Sequence, residues 1–186
     1  MTEPRTIALD ERVQLAPLTL DHAAAMARWM DDPVVSRNLG LRSAPSFEKT
    51  CAWIERAQTD ATVYARAALL DQVHVGNVVL DQIDAYLGSA RLSIYIGEAA
   101  ARHAGVGRTA LYRLLREGFE RLSLHKIWLT VHCEHQPAIT LYTRLGFTLE
   151  GVHRDEFRLD GRRVNLWYMG MLHDDFKRLA IAERSA

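Results

Sequence analysis

The sequence predicts a mixed α/β fold, a mostly antiparallel sheet with flanking helices, and three observations carry that expectation. Between residues 62 and 97 the stretches "TVYARAALL", "HVGNVVLDQI" and "ARLSIYIG" follow the two-residue period of strands. Short turns at Asp71-Gln72 and at residues 86–89 join them, which makes them antiparallel neighbours. Next, "GVGRTALYRLLREGFERL" (105–122) places Ala110, Leu111, Leu114, Leu115, Phe119 and Leu122 at helical spacing, and "HKIWLTVH" (125–132) returns to strand. Last, "TLEGVHRDEFRLDGRRVNLWYMGML" (148–172) reads as two strands turning at Asp160-Gly161. A strand–helix–strand–helix centre between hairpins does not suit a doubly wound parallel sheet.

The remaining elements follow in order. "RVQLAPL" (12–18) alternates and opens the chain as a strand. "TLDHAAAMARWM" (19–30) is a helix capped by Thr19 or Asp21, with Ala24, Met26, Ala27 and Met30 along it, and Asp32-Pro33 stops it. Residues 37–45 read as an exposed loop, placed to serve as a lid or specificity element or simply as a connector. "SFEKTCAWIERA" (46–57) is a second short helix, N-capped by Ser46, that turns Cys51, Trp53 and Ile54 toward the core. In "PAITLYTRLGF" (137–147) Pro137 sits in the first turn of a short helix and Gly146 just past its end. Residues 174–181 read as a helical tail. The expected organisation is one domain over 1–186, with a core at about 12–172 and a C-terminal helix at 173–182.

Composition narrows the function classes. The 186 residues carry 23 Lys+Arg and 23 Asp+Glu, so the formal net charge is 0 and no broad electrostatic footprint for nucleic acid or membrane is expected. Hydrophobic content of 48% with 25% charged residues rules out wholesale disorder. No apolar run approaches the ~20 residues of a membrane span, and "MTEPRTIALDERVQL" has no signal-peptide core, so a cytoplasmic location is expected. Cys51 and Cys133 are too few and too far apart for a disulfide scaffold.

The chemistry concentrates in two segments. In "RHAGVG" (102–107), Gly105 and Gly107 accept backbone angles closed to other residues just where the longest helix begins. Unpaired N–H groups and the positive dipole end of such a helix converge on an anion, and Arg102 and Arg108 flank the turn. Two readings are open here: a phosphate or pyrophosphate site, or a tight strand-to-helix connection. A P-loop is absent, and a dinucleotide fingerprint would belong at a first parallel βαβ unit. In "EHQPAITLYTRLGF" (134–147), helical spacing brings His135, Ala138, Ile139 and Tyr142 toward one face, next to the end of "KIWLTVH". A phenol there suits protonation of a thiolate or amine leaving group, or else Tyr142 is a packing residue.

Together the segments resemble the GNAT superfamily of acyl-CoA-dependent N-acyltransferases. "RHAGVG" is similar to its [QR]-x-x-G-x-G/A motif through Arg102, Gly105 and Gly107, and "AITLYTRLGF" to its Tyr-x-x-x-Gly-Phe signature. The flanking "VQLAPLTLDHAAAMARWMDD" and "LEGVHRDEFRLDGRRVNLWYMGML" look most like the branch of ribosomal-protein N-terminal, polyamine and nucleotide-amino-sugar acetyltransferases. The resemblance implies two central parallel strands that splay apart around acetyl-CoA. It implies that Ile94, Tyr95 and Ile96 offer backbone groups to the pantetheine arm. The N–H groups from His103, Ala104, Gly105, Val106, Gly107 and Arg108 would bind the pyrophosphate, and Tyr142 would protonate the departing thiolate. His135 stands where relatives often carry Asn.

The expected acceptor is a primary amine of a small molecule, with an amino sugar on a nucleotide carrier slightly ahead. A protein N-terminal amine or a polyamine is the alternative, and a non-catalytic acyl-CoA-binding sensor the reading from another class. A homodimer fits the family. His74, Asp81, Asp84, Glu98, His132 and Glu134 are all candidates for taking the amine's proton, and no spacing singles one out. "HCEH" (132–135) suggests a metal site, but alternating strand residues face opposite sides, so no metal is expected.

Overall fold

The computed structural model describes residues 6–40 and 46–181. Strand β1 (Thr6–Ile7) leads into β2 (Val13–Pro17), and three helices follow: α1 (Ala23–Met30), α2 (Pro33–Leu39) and α3 (Phe47–Thr59). Then come β3 (Tyr64–Leu70), β4 (Val73–Asp84), β5 (Ser89–Ile96), α4 (Val106–Arg116) and β6 (Lys126–His132). The chain continues through α5 (Gln136–Arg144), β7 (Thr148–Leu159), β8 (Arg162–Leu172), α6 (His173–Lys177) and β9 (Ala180–Ile181). Seven strands form one sheet in the order β2-β3-β4-β5-β6-β8-β7, and β1 pairs with β9 in a separate two-stranded ribbon. Within the large sheet every neighbouring pair is antiparallel except β5 and β6, which are parallel. The expected mixed sheet with a central parallel pair is therefore the fold.

Strand alternation builds two apolar layers. On one face Val78, Leu80, Leu92 and Ile127 pack with Leu111 and Leu115 of α4. On the other, Ala67 and Leu18 meet Met26 and Trp29 of α1 and Ile54 of α3. Trp29 lies flush on Gly97, where any Cβ would stand inside the indole ring, so the close approach of α1 to the end of β5 requires glycine. After Arg116 the helix widens into a π turn over Glu117–Arg121.

Two expectations are corrected. Asp32-Pro33 ends α1 but also starts α2: Asp32 Oδ1 accepts the Val34 N–H at 2.8 Å as N-cap, and Pro33 occupies the first turn. The expected loop 37–45 is thus helix up to Leu39, and residues 41–45 lie outside the described part. The tail is not helical to 181: α6 ends at Lys177, and Ala180 and Ile181 pair with Thr6 and Ile7. Past α6, Ala180 and Ile181 satisfy backbone groups through a partner strand rather than through one more helical turn.

Candidate functional site

The site begins where the parallel pair comes apart. β5 and β6 are in register at Ser89–Lys126, Ala90–Ile127 and Arg91–Trp128, and there the pairing stops. β5 keeps β4 on its other side as far as Ile96, and β6 keeps β8 as far as His132. From Leu92 onward the inner edge of β5 therefore lacks a strand, and its backbone groups need other partners. The V between the strands opens into a cleft of about 1490 Å³, lined by β5, β6, α5, the turn before α4, and α1–α3. This exceeds the ~300–1,000 Å³ of a drug-sized pocket and has room for two substrates.

The turn before α4 closes one end. His103 (φ 64°) and Gly105 (φ 81°) are left-handed, and no side chain caps the helix. The first backbone bond of the helix runs from Thr109 N–H to Gly105 C=O at 3.1 Å; among the described residues the N–H groups of residues 103–108 have no partner. Beside them the Arg108 guanidinium folds over Gly105, and its Nε is buried without a partner while the residue borders the cleft. Uncapped amides and an unsatisfied guanidinium donor are what an anion would complete.

The two arginines of the turn diverge. Arg102 is turned inward: its Nη2 donates to Asp32 Oδ2 at 2.6 Å and to the Gly97 carbonyl at 2.7 Å, and its Nε to the Ile96 carbonyl at 3.0 Å. That pairing holds the Asp32 carboxyl below its ordinary range. Arg102 thus ties the end of β5 to the start of α2, and three of its five N–H donors are committed before any ligand arrives. Ile96 correspondingly has its carbonyl occupied, whereas the inner edge at Ile94 and Tyr95 stays without a strand partner. The Tyr95 phenol points to the α1–α3 layer and accepts from Asn77 Nδ2 at 2.6 Å; burial raises its pKa.

Tyr142 lies on α5, is only 8% exposed and still borders the cleft. Among the described residues its hydroxyl has no hydrogen-bond partner, and burial pushes its pKa up to about 12. His135 stands at the N-cap of α5 without capping it and stacks on His132 at 5.3 Å. Burial lowers the pKa of both rings, and the nearby Arg37 adds to this at each. His103, Ala104, Gly105, Gly107, Arg108, His135 and Tyr142 all border the one cleft, while Val106 is buried beneath the turn.

The proton-acceptor candidates separate clearly. Asp84 caps the β4–β5 turn through the Tyr86 and Leu87 N–H groups, and Glu98 pairs with Arg28. His74 is packed against Trp29 and His22. None of these three borders the cleft, whereas Asp81, His132 and Glu134 do. Glu134 is held by Arg162 through two bonds of 2.6 Å, and Asp81 by Arg91 through bonds of 2.8 and 2.7 Å. Among the described residues no three His, Cys, Asp or Glu side chains converge as a metal site.

Sequence reasoning missed the far wall. Val34, Val35, Asn38 and Leu39 of α2 line the cleft, and Phe157 stacks on His132 at 5.2 Å. On the rim, Arg37 of α2 grips Asp160 of the β7–β8 turn at 2.7 Å. The signal was present in Asp32-Pro33, which starts a helix as well as it stops one.

Comparisons with known proteins agree with this geometry. The acetyltransferase (GNAT) domain family matches residues 12–148. An uncharacterized N-acetyltransferase p20 of Bacillus licheniformis is 25% identical over 175 residues, 89% of this chain and 96% of that protein. The spermidine N(1)-acetyltransferase of Vibrio cholerae is 36% identical over 104 residues, which span 55% of this chain and 58% of its own length. A crystal structure of spermidine N-acetyltransferase from Vibrio cholerae with CoA and spermine has a TM-score of 0.85 at 24% identity, covering 90% of this chain and 99% of that one; this likeness is one of fold.

Proposed function

The chain belongs to the GNAT acetyltransferase family and is an N-acetyltransferase with acetyl-CoA as co-substrate; from that premise we propose that it acetylates a primary amine of a small molecule in the β5–β6 cleft. One observation supports this above the others: the parting of β5 from β6 after Arg91–Trp128, beside an uncapped helix N-terminus. Acetyl-CoA supplies an activated acetyl group whose leaving group is a thiolate. The amides of residues 103–108 and Arg108 fit its diphosphate, and the inner edge of β5 at Ile94 and Tyr95 fits its amide-bearing arm. The ammonium gives one proton to solvent before attack, and an N–H of the unpaired edge just past Arg91 polarises the carbonyl. The C–N bond forms as the C–S bond breaks, and Tyr142 hands its phenolic proton to the leaving sulfur and regains one from the acylated nitrogen. His135 lines the same cleft, its pKa lowered by burial.

The acceptor is read from two sides. Relatives that act on spermidine make a polyamine the first class to test, and nothing in the comparisons favours the amino sugar. A second reading, an amine on an otherwise uncharged body, is favoured because both cleft carboxylates, Asp81 and Glu134, are already held by arginines and leave little for a second ammonium. Thiol release measured with spermidine, glucosamine and a short peptide bearing a free N-terminus, together with calorimetry of CoA, tests both. Turnover with one amine and micromolar CoA binding are expected; absence of CoA binding refutes the proposal.

A further inference from the structure

The vertex of the V carries an ion pair that the binding of acetyl-CoA leaves unused. Asp81 and Arg91 are cross-strand partners on β4 and β5, and Arg91 is also the last residue of β5 in register with β6. Their neighbours Leu80 and Leu92 point into the core under α4, so by alternation both charged side chains face the α1–α3 side of the cleft. Immediately after Asp81 the β4–β5 register slips, with Gln82 at φ 50°. Such a bulge re-aims the side chains around it.

The reach of the co-substrate brings its thioester here. From Ile96 back to Arg91 is five steps of about 3.3 Å, roughly 16 Å in all. The arm of CoA between diphosphate and sulfur is a chain comparable to about five extended residues, also ~16 Å. With the diphosphate at the turn before α4, a fully extended arm would bring the sulfur level with Arg91, and the amine would come to the same point from the open face.

We propose that Asp81 docks the ammonium of the acceptor at the vertex and that Arg91 is its positioning partner, an assignment that rests on the amine-acetylating reading above. The guanidinium fork fixes the plane of the carboxylate and takes one lone pair from each oxygen, leaving the others for a single ammonium. The pair is neutral overall, so the docked nitrogen is oriented without being trapped in its charged form. Glu134 does not compete for this role, since it lies past the C-terminal end of β6, at the opposite end of that strand from the vertex.

The test compares Asp81→Asn and Asp81→Glu with the wild type. Asp81→Asn keeps the size of the side chain and a bond to Arg91. It is expected to raise the acceptor KM at least tenfold and to weaken calorimetric binding of the best amine among spermidine, glucosamine and the peptide to the CoA-loaded protein by the same factor. The Kd for CoA should stay within twofold, and Asp81→Glu should recover part of the loss. An acceptor KM within twofold of wild type, or a parallel loss of CoA binding, overturns the assignment of Asp81. A wild-type protein that binds CoA and turns over none of the amines overturns the amine-acetylating reading itself, and Asp81 with it.

Discussion

Tyr142→Phe removes one oxygen from a ring that is otherwise enclosed, and the structure sets the size of the effect. The hydroxyl faces the cleft with no partner among the described residues, and burial raises its pKa to about 12. An ordinary alkyl thiol lies near ~8.5, so passing the proton to a thiolate is uphill by roughly 3.5 units. General acids contribute about 10²–10⁴ in rate, and an uphill transfer belongs at the lower end. The expected loss in kcat is therefore about a hundredfold, or ~2.7 kcal/mol. Because the hydroxyl forms no bond among the described residues, the melting temperature should move by less than about 2 °C. Steady-state thiol release gives kcat, and calorimetry gives the Kd for CoA. A kcat within threefold of wild type, or a loss matched by weaker CoA binding, would falsify the acid role. The high pKa also predicts no alkaline limb from this group between about pH 7 and 10.

The two arginines of the turn should behave oppositely. Arg102→Ala leaves the Ile96 and Gly97 carbonyls without their donor, about 2 kcal/mol and some 4–8 °C in melting temperature, whereas Arg108→Ala should keep the melting temperature and weaken CoA at least tenfold; equal effects on both readouts would sink the distinction. Gly105→Val forces a β-branched residue into φ 81° at a cost of about 1–2 kcal/mol and should abolish high-affinity CoA binding, which calorimetry would detect. Burial lowers the pKa values of His74, His132 and His135, so the unfolded chain takes up protons below about pH 6.5 that the folded chain refuses. Stability is complete above that pH and is lost as the pH falls from there toward the folded values; thermal unfolding at pH 7.5 and 5.5 should show a drop, and an unchanged or higher melting temperature at pH 5.5 contradicts it.

Much of the sheet was legible because its strands state their period locally. The run around Leu92 alternates, that around Val78 is a short, mostly apolar run bounded by turns, and the positive-φ turns at Asp71-Gln72 and Asp160-Gly161 were readable as turn signals. The helix-opening turn was legible through its glycines, and Tyr142 through its spacing from Pro137. What local pattern does not contain is pairing across distance. That Arg102 would be bound by Asp32, seventy residues earlier, depends on α2 folding back onto β5, and α2 itself was hidden because Asp-Pro serves both ends of helices. The choice among carboxylates depended equally on register: only the pairing of Asp81 with Arg91 at the last parallel position brings that one to the vertex.

The bond between Arg37 and Asp160 joins helix α2 to the far hairpin with both side chains about half in water, 48% and 57% exposed. Contacts of this kind contribute little to folding and come undone readily, more so in salt. The rim of the cleft is thus fastened at this point by a clasp whose hold slackens as ionic strength rises.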